Sequence, residues 1–433
     1  MGVPFWPDTC SSTTATAIAD SISDTKPIVS DTSSASNTPC SAASSSTTSD
    51  ASSTIVSLQS GLSLQTLPSV PSLQKFIPET LNASTSFICT SSLQPPNKLP
   101  VTCLAVHGNL LYSASSHEIN VYDRTSFSHL HAFNDDESSS GSVKSVSFSD
   151  GKIFTAHQDC KICVWKLTTT KEHKLVTVLP TVNDRLRRFI FPKNYVKHRR
   201  HKKLLWIEHA DAVTGLAVNN GLIYSVSWDR YLKIWRASDL RCLESIKAHE
   251  DAVNAVAVSG DGTVYTGSGD YKIRVWAKPV NEKRHVLIAT LEKHKSVVNA
   301  LALSDDGSVL FSGARDRSIL VWEREDSANY MAVTGALRGH SKAILSLINV
   351  SDLLLSGSAD RTIRIWRRCQ DEKYCCLAVL EGHRYPVKSL AATWEGETND
   401  IVSIYSGSLD GEIKAWQVSI SRSAELNNNN KKI

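Results

Sequence analysis

Five histidines recur ahead of five aspartates. His209, His249, His294, His340 and His383 precede Asp229, Asp270, Asp316, Asp360 and Asp410 by 20, 21, 22, 20 and 27 residues. Each Asp stands four residues after a hydroxyl (Ser225, Thr266, Ser312, Ser356, Ser406) and six before a tryptophan (Trp235, Trp276, Trp322, Trp366, Trp416). Such His and Asp groups could exchange protons or hold a metal. Five equivalent copies argue against a single active centre and for side chains that hold a repeated fold together. The chain has no phosphate-cradling glycine loop, no serine nucleophile elbow and no paired-carboxylate motif. No catalytic residue, cofactor or metal is therefore assigned, and the chain is read as not an enzyme. Of ten cysteines, only Cys160-x-x-Cys163 has ligand-like spacing, and zinc would need a second such pair. That pair falls on an expected strand, with its thiols on opposite faces. The cysteines are expected as the reduced thiols of a cytoplasmic or nuclear protein.

A second feature is a charge run. Arg185, Arg187, Arg188, Lys193, Lys197, Arg199, Arg200, Lys202 and Lys203 occur with no acid among them, and Phe189, Phe191 and Tyr195 interleave. Four readings stay open: a solvated loop pinned to the fold by its aromatics, a dock for an acidic partner, a nuclear-import signal at 197–203, or contact with RNA or DNA. Charge alone would attract phosphate without sequence preference. The net charge of +4 is too mild to imply nucleic acid by itself.

The elements that position these groups form a repeat. An eleven-residue frame, clearest from Ser225 to Trp235, recurs in each of the five copies. An earlier copy is Thr155…Asp159…Trp165, and a degenerate one, Ser113…Tyr122, is one residue short. The aromatic ends of these seven copies step by 43, 70, 41, 46, 44 and 50 residues. Alternating β-rich runs precede each copy, joined at Asp150-Gly151, Asn220-Gly221, Asp261-Gly262 and Asp306-Gly307, which are hairpin signals. Four strands in about 40–45 residues is a propeller blade. Length alone, 433 residues, would suggest about three domains. The repeat replaces these with one all-β ring over residues 86–418, carrying an insertion at about 180–206. Six of the ten tryptophans occupy one place in successive repeats.

These residues resemble the WD40 repeat family. The resemblance implies a seven-bladed β-propeller in which Trp, Ser/Thr, His and Asp form a buried hydrogen-bonded relay within each blade. Blades 1 and 2 depart from the pattern: both lack the upstream His, blade 1 also lacks the Asp and Trp, and both are expected to be less rigid. In the family, partners meet the face made by the Asp-bearing turns and the starts of the innermost strands. That face would hold Lys144, Thr214, Asn254, Asn299, Leu345 and Lys388 at the channel mouth, with Gln158, Trp228, Arg315 and Leu409 beside them. Trp228 and Arg315 are expected to stand exposed at turn tips, as interface hot spots do. The Trp-Asp-x-Arg feature of cullin-4 receptors is absent after every blade tryptophan, which disfavours that role. Residues Leu62–Leu73 and the run Pro192-Lys-Asn-Tyr-Val…Arg199-Arg200 are similar to the plant JINGUBANG-like WD40 group. That similarity implies a plant regulatory scaffold in developmental or transcription-related signalling.

The rest of the chain frames the ring. Residues 1–54 are low in complexity, and the first 60 residues hold 17 Ser, 10 Thr, five Asp and one Lys. They are expected to be a disordered tail open to phosphorylation, with neither a secretory nor a transit signal. Residues 55–85 read as an apolar, Pro-interrupted linker or docking strip, and 419–433 as a disordered C-terminal tail. The chain reaches its last blade with only three strands in hand, so Ser86–Leu93 is expected to close the ring as the missing outer strand. No run of 18 apolar residues offers a membrane span. The function expected is a non-catalytic scaffold or adaptor for other proteins, a monomeric ring in the cytoplasm or nucleus. The alternative is a nucleic-acid or phosphate binder acting through residues 185–203.

Overall fold

The tightest hairpins turn where the sequence supplies residues that tolerate positive φ. In the turns Asp150-Gly151 and Asn220-Gly221 both central residues have positive φ (49° and 67°; 48° and 70°), the geometry whose twist matches flanking strands. The computed structural model describes residues 70–73, 85–94, 98–134, 141–169, 172–199, 202–324, 331–369, 373–395 and 401–420. The expected tail at 1–54, most of the strip at 55–85 and residues 421–433 lie outside the described residues.

Strands assemble into seven four-stranded antiparallel sheets. Blade 1 runs Val101–His107, Leu110–Ser115, Glu118–Asp123 and His129–Phe133, and blade 2 runs Val143–Ser149, Lys152–His157, Ile162–Leu167 and His173–Leu179. Blades 3 to 6 begin at Val213–Asn219, Val253–Val258, Val298–Leu303 and Ile344–Val350. Blade 7 takes Val387–Glu395, Ile401–Ser408 and Ile413–Ile420 from the end of the chain and Thr85–Leu93 from its beginning. The last two pair antiparallel from Thr85↔Ile420 to Leu93↔Ile413, with a bulge between Cys89 and Ser91. The propeller thus has no free edge at its closure, and it extends to Ile420 rather than ending at 418.

The core lies between blades as much as within them. Tyr224, Val226 and Ile234 of blade 3 pack with Val253, Val264 and Trp276 of blade 4. Val101, Leu104 and Leu111 of blade 1 pack with Tyr405 and Ile413 of blade 7. This packing needs glycine in the second strand: a Cβ on Gly313 would lie 2.5 Å from the Ile344 side chain of the next blade. Residues 70–73 lie in the seam between blades 5 and 6. The Leu73 amide donates to the Ala336 carbonyl (3.1 Å), the Ala336 amide to Pro71 (2.9 Å) and the Tyr374 amide to Leu73 (2.9 Å), while Val70 is buried. Cys369 and Cys375, expected as free thiols, are joined as a disulfide across the hairpin of blade 6, because the two strand ends bring their Cα atoms to 6.6 Å. Cys160 lies in a turn rather than on a strand, and burial pushes the Cys163 thiol up to about 12.

Replacing Gly313 by Val should lower stability by about 1–3 kcal/mol through the clash with blade 6. The same change at Gly260, whose Cβ direction is open, should cost far less. Denaturant midpoints of the two variants decide between them, and equal effects would contradict the packing argument.

Candidate functional site

In blade 3 the Trp235 indole N–H donates to Ser225 Oγ at 2.9 Å, His209 Nε2 meets the same hydroxyl at 2.8 Å, and His209 Nδ1 meets Asp229 Oδ2 at 2.8 Å. A neutral imidazole satisfies every atom: Nδ1–H donates to the carboxylate, Nε2 accepts the serine proton, and the serine oxygen accepts the indole N–H. Blades 4, 5 and 6 repeat this, with His–hydroxyl distances of 2.8, 2.7 and 2.8 Å and His–Asp distances of 3.0, 3.0 and 2.8 Å through His249, His294 and His340. Trp276, Trp322 and Trp366 donate to Thr266, Ser312 and Ser356 at 3.0, 2.8 and 2.9 Å.

Each Asp has a second task. In blades 3 to 6 its other carboxylate oxygen accepts the backbone N–H two residues on, at Tyr231, Lys272, Ser318 and Thr362, and Asp159 and Asp410, which hold no histidine, accept likewise from Lys161 and Glu412. This side-chain turn holds the intervening residue (Cys160, Arg230, Tyr271, Arg317, Arg361 or Gly411) at φ of 69–87°. Burial would raise the Asp229 carboxyl, but His209 and the Ala210 amide outweigh it and bring it down to about 2. Asp270 and Asp316 also fall to about 2 against burial, through His249 and His294. Burial lowers the His209 imidazole, which favours the neutral form.

Three blades differ from the expected pattern. Blade 2 does contain a histidine, but it comes from the strand: His157 Nε2 meets Thr155 Oγ1 at 2.7 Å, Nδ1 meets the Gly141 carbonyl at 3.1 Å, and Trp165 donates to Thr155 at 2.9 Å. The signal was Thr155-Ala-His157, two residues apart on one face of a strand. In blade 7, Trp416 and His383 meet Ser406 at 2.9 and 2.7 Å, but His383 Nδ1 faces Glu412 at 3.4 Å instead of Asp410, which binds Ser408 at 2.5 Å. Blade 1 has no relay, and its Ser113 hydroxyl is buried without a hydrogen-bond partner.

The inner strands show what the mouth of the channel does. Thr214 Oγ1 donates to the Val253 carbonyl (2.6 Å), Asn254 to Val298 (3.1 Å) and Asn299 to Ile344 (2.8 Å), each reaching the first inner-strand residue of the next blade. Thr102 does the same toward Val143 at 2.6 Å. These side chains stitch neighbouring blades rather than stand ready for a partner. Leu345, Lys144 and Lys388 occupy the same position in blades 6, 2 and 7 and are half-buried. Beside the two lysines serines join the seams instead, with the Leu216 amide donating to Ser145 Oγ (3.2 Å), Ser147 Oγ to the Leu216 carbonyl (3.2 Å) and the Leu104 amide to Ser389 Oγ (2.8 Å). Burial lowers both lysine ammoniums, and Lys388 adds to the effect on Lys144. Among the described residues neither has a hydrogen-bonding or ionic partner.

Of the turn residues, Arg315 and Gln158 are exposed, while Leu409 is half-buried. Trp228 departs from expectation: it is half-buried, and its indole donates to Asn254 Oδ1 at 3.2 Å. The residues that sequence reasoning missed stand one place later, after each Asp. Arg317 and Arg361 are exposed there, as is Tyr271 at 47%. Arg384 and Tyr385, just after His383, are exposed too. The charges are unevenly spread: Asp211, Glu250 and Asp251 are exposed at blades 3 and 4 together with Arg230, whereas Arg315, Arg317, Lys342, Arg361 and Arg384 are exposed at blades 5 to 7.

Of the four readings of the insertion, the loop pinned by its aromatics is the one that the exposure of those aromatics opposes. Phe189, Phe191 and Tyr195 are exposed. The insertion is anchored through polar groups: Asp184 is buried, bonds Arg188 Nε at 3.0 Å and accepts from the Cys242 amide at 3.2 Å, and Arg188 lies 4.5 Å over the Trp206 ring. Arg185 pairs with Glu208 at 3.2 Å. Arg187, Lys193, Lys197 and Lys203 are exposed, Arg199 and Lys202 lie on the paired strands Tyr195–Arg199 and Lys202–Leu205, and Arg200 lies outside the described residues.

The relay carboxylates tie stability to acid. Their folded values lie below the ordinary 3.8, so the stabilisation is complete above that value and lost as pH falls through about 2. The stability difference between the natural chain and Asp316→Asn should therefore be constant above about pH 4 and shrink toward pH 2, as followed by urea unfolding at each pH. Ser312→Ala, which orphans both Trp322 and His294, should cost about 1–3 kcal/mol in the same assay.

Comparison with known proteins adds likenesses over part of the ring. The WD domain, G-beta repeat family model matches residues 202–236, 240–277, 285–323, 332–367 and 374–417. An uncharacterised WD repeat-containing protein of Schizosaccharomyces pombe is 34% identical over 84 residues, 19% of this chain and 16% of that protein. Pre-mRNA-processing factor 19 of Bos taurus is 23% identical over 142 residues, 32% of this chain and 27% of that protein, and the Mus musculus protein of that name matches equally. The chain thus matches less than a third of the length of these curated relatives. The matched residues fall on blades 3 to 7 of the seven-bladed β-propeller, and over that part the chain is similar to proteins built of WD40 repeats.

Proposed function

We propose that this propeller is a non-catalytic scaffold that captures an acidic segment of another protein across blades 5 to 7. The observation that carries the reading is the division of labour on one face. The His and Asp groups that could do chemistry are consumed in buried relays, and the Thr and Asn groups at the mouth are consumed in stitching blades. What stays exposed is an arginine-rich sector with tyrosine nearby, and both residue types are enriched at binding hot spots. Arginine also suits carboxylate and phosphate, which it can grip with two parallel hydrogen bonds. Lys144 and Lys388 extend this sector inward, and an acidic side chain entering the mouth would relieve their unpaired charge.

The similarity of residues 62–73 and 192–200 to the plant JINGUBANG-like group supports the further reading that the ring serves plant regulatory signalling. On that reading it acts as a single ring in the cytoplasm or nucleus. The relative named for pre-mRNA processing leaves a different pathway open, since it shares only part of the ring.

The double substitution Arg315→Ala with Arg361→Ala should reduce capture of partner proteins from cell extract by about tenfold or more, with an unchanged melting temperature. Glu250→Ala with Asp211→Ala, on the acidic sector, should leave capture unchanged or raise it. Quantitative mass spectrometry of both eluates against the natural chain decides, and undiminished capture by the arginine variant would refute the assignment.

A further inference from the structure

The insertion carries a helix packed inside out. In Val182–Arg188 the residues turned to the protein are Asp184 and Arg188, one helical turn apart. The apolar stripe at positions 182, 186 and 189, which a soluble helix would bury, faces outward: Val182 is 70% exposed, Leu186 54% and Phe189 50%. Ile190 and Phe191 follow at 67% and 51%. The anchor is built well enough to show that this orientation is specified. Thr181 caps the helix by accepting from the Asp184 amide, and the buried carboxylate binds both Arg188 and the backbone of Cys242. In the same insertion Arg187, Lys193, Lys197 and Lys203 are exposed and, among the described residues, without ion pairs, with Lys197 opposite Lys203 on the paired strands.

We infer that this insertion docks the propeller onto an anionic lipid bilayer. Outward apolar side chains with exposed cations in the same insertion are what an interfacial element presents: the apolar groups enter the boundary with the acyl chains while the cations meet the headgroups. The composition separates this from two other occupants. A nucleic acid would use the cations but would leave Val182, Leu186 and Ile190 in water, since phosphate and sugar contacts are polar. The core of a protein interface is depleted in lysine, whereas lysine here borders the apolar stripe directly: the Lys193 ammonium lies 5.7 Å over the Phe191 ring. A bilayer accepts both sets of groups together.

The test uses the full chain with phosphatidylcholine vesicles, with and without phosphatidylserine. It should co-sediment with the phosphatidylserine vesicles, not with phosphatidylcholine alone, and be released by added salt. Leu186→Ser, Phe189→Ser and Ile190→Ser together should lower partitioning by about tenfold for each side chain removed. Lys193→Gln, Lys197→Gln and Lys203→Gln should each lower it about fivefold. All six side chains are exposed, so melting temperatures should not change. If the triple apolar variant does unfold, Ile190→Ser alone carries the test. Absence of sedimentation with phosphatidylserine vesicles overturns the inference. So does binding that falls with the lysine variants but survives the apolar ones, and so does capture of RNA or of an acidic protein with no vesicle binding. Failure of this test leaves the arginine sector of blades 5 to 7 untouched, and the converse also holds.

Discussion

A serine or threonine hydroxyl buried under the second strand of a blade has one proton to give and lone pairs to fill, and nothing apolar around it will do either. In six blades the hydroxyl is placed between an indole N–H and an imidazole nitrogen, and these two partners fix the third strand and the incoming connection against the second. The carboxylate then holds the imidazole with one oxygen and, in most blades, shapes its own turn with the other. A single hydroxyl thus determines strand spacing, turn conformation and the approach of the chain from the previous blade. The network succeeds only because each member is satisfied, since burial turns any orphan into a penalty. Blade 1 shows the alternative, with its Ser113 hydroxyl left unpaired and Tyr122 in place of tryptophan.

Rigid blades make the ring a problem of contact between neighbours. Gly313 admits Ile344 so that two sheets can close together, and inner-strand Thr and Asn side chains tie one blade's backbone to the next. The ties run from blade 3 to blade 6 without a break, and there is another from blade 1 to blade 2. Leu345, Lys388 and Lys144 make no such tie, and serines join two of those seams instead: Ser145 and Ser147 bind the Leu216 backbone, and Ser389 accepts from the Leu104 amide. The two cations themselves add nothing to ring cohesion, and burial opposes their charge. Their presence is understandable if the mouth of the channel receives something negative, which joins the interior of the ring to its arginine-rich rim.

Much of this was legible because the repeat is written in fixed spacing. Ser, Asp and Trp recur at intervals set by one hairpin, and any such frame must place them alike. The closing strand was legible for a related reason, since a three-stranded last blade leaves an edge that only a distant segment can cover. What escaped notice departs from the frame while keeping its physics. His157 supplies the imidazole from a strand position where other blades carry Ser227, Ser268, Ser358 and Ser408, so a search upstream of the strand could not find it. Glu412 displaces Asp410 because a carboxylate two residues further along the turn also reaches the ring nitrogen. Trp228 looked like an exposed anchor because it precedes the Asp at a turn tip. Its indole instead lies where Asn254 can accept from it, a contact between blades that no local pattern encodes.

The insertion is harder to read from its sequence. The usual assumption is that apolar groups face the protein and charges face water. The structure reverses that assumption because one buried carboxylate outweighs the stripe. The Asp184 carboxylate finds an arginine and a backbone amide in one place, and a carboxylate so provided can be buried where an unpaired one could not. Once it is fixed, helical geometry leaves positions 182, 186 and 189 no inward direction. The exposed apolar surface is therefore a consequence of the anchor and is held in one orientation. A flexible loop could fold such groups away when no partner is present, but a helix tied to Cys242 cannot. The cost of keeping them in water is borne continuously, and this distinguishes a standing surface from a segment that has merely failed to pack.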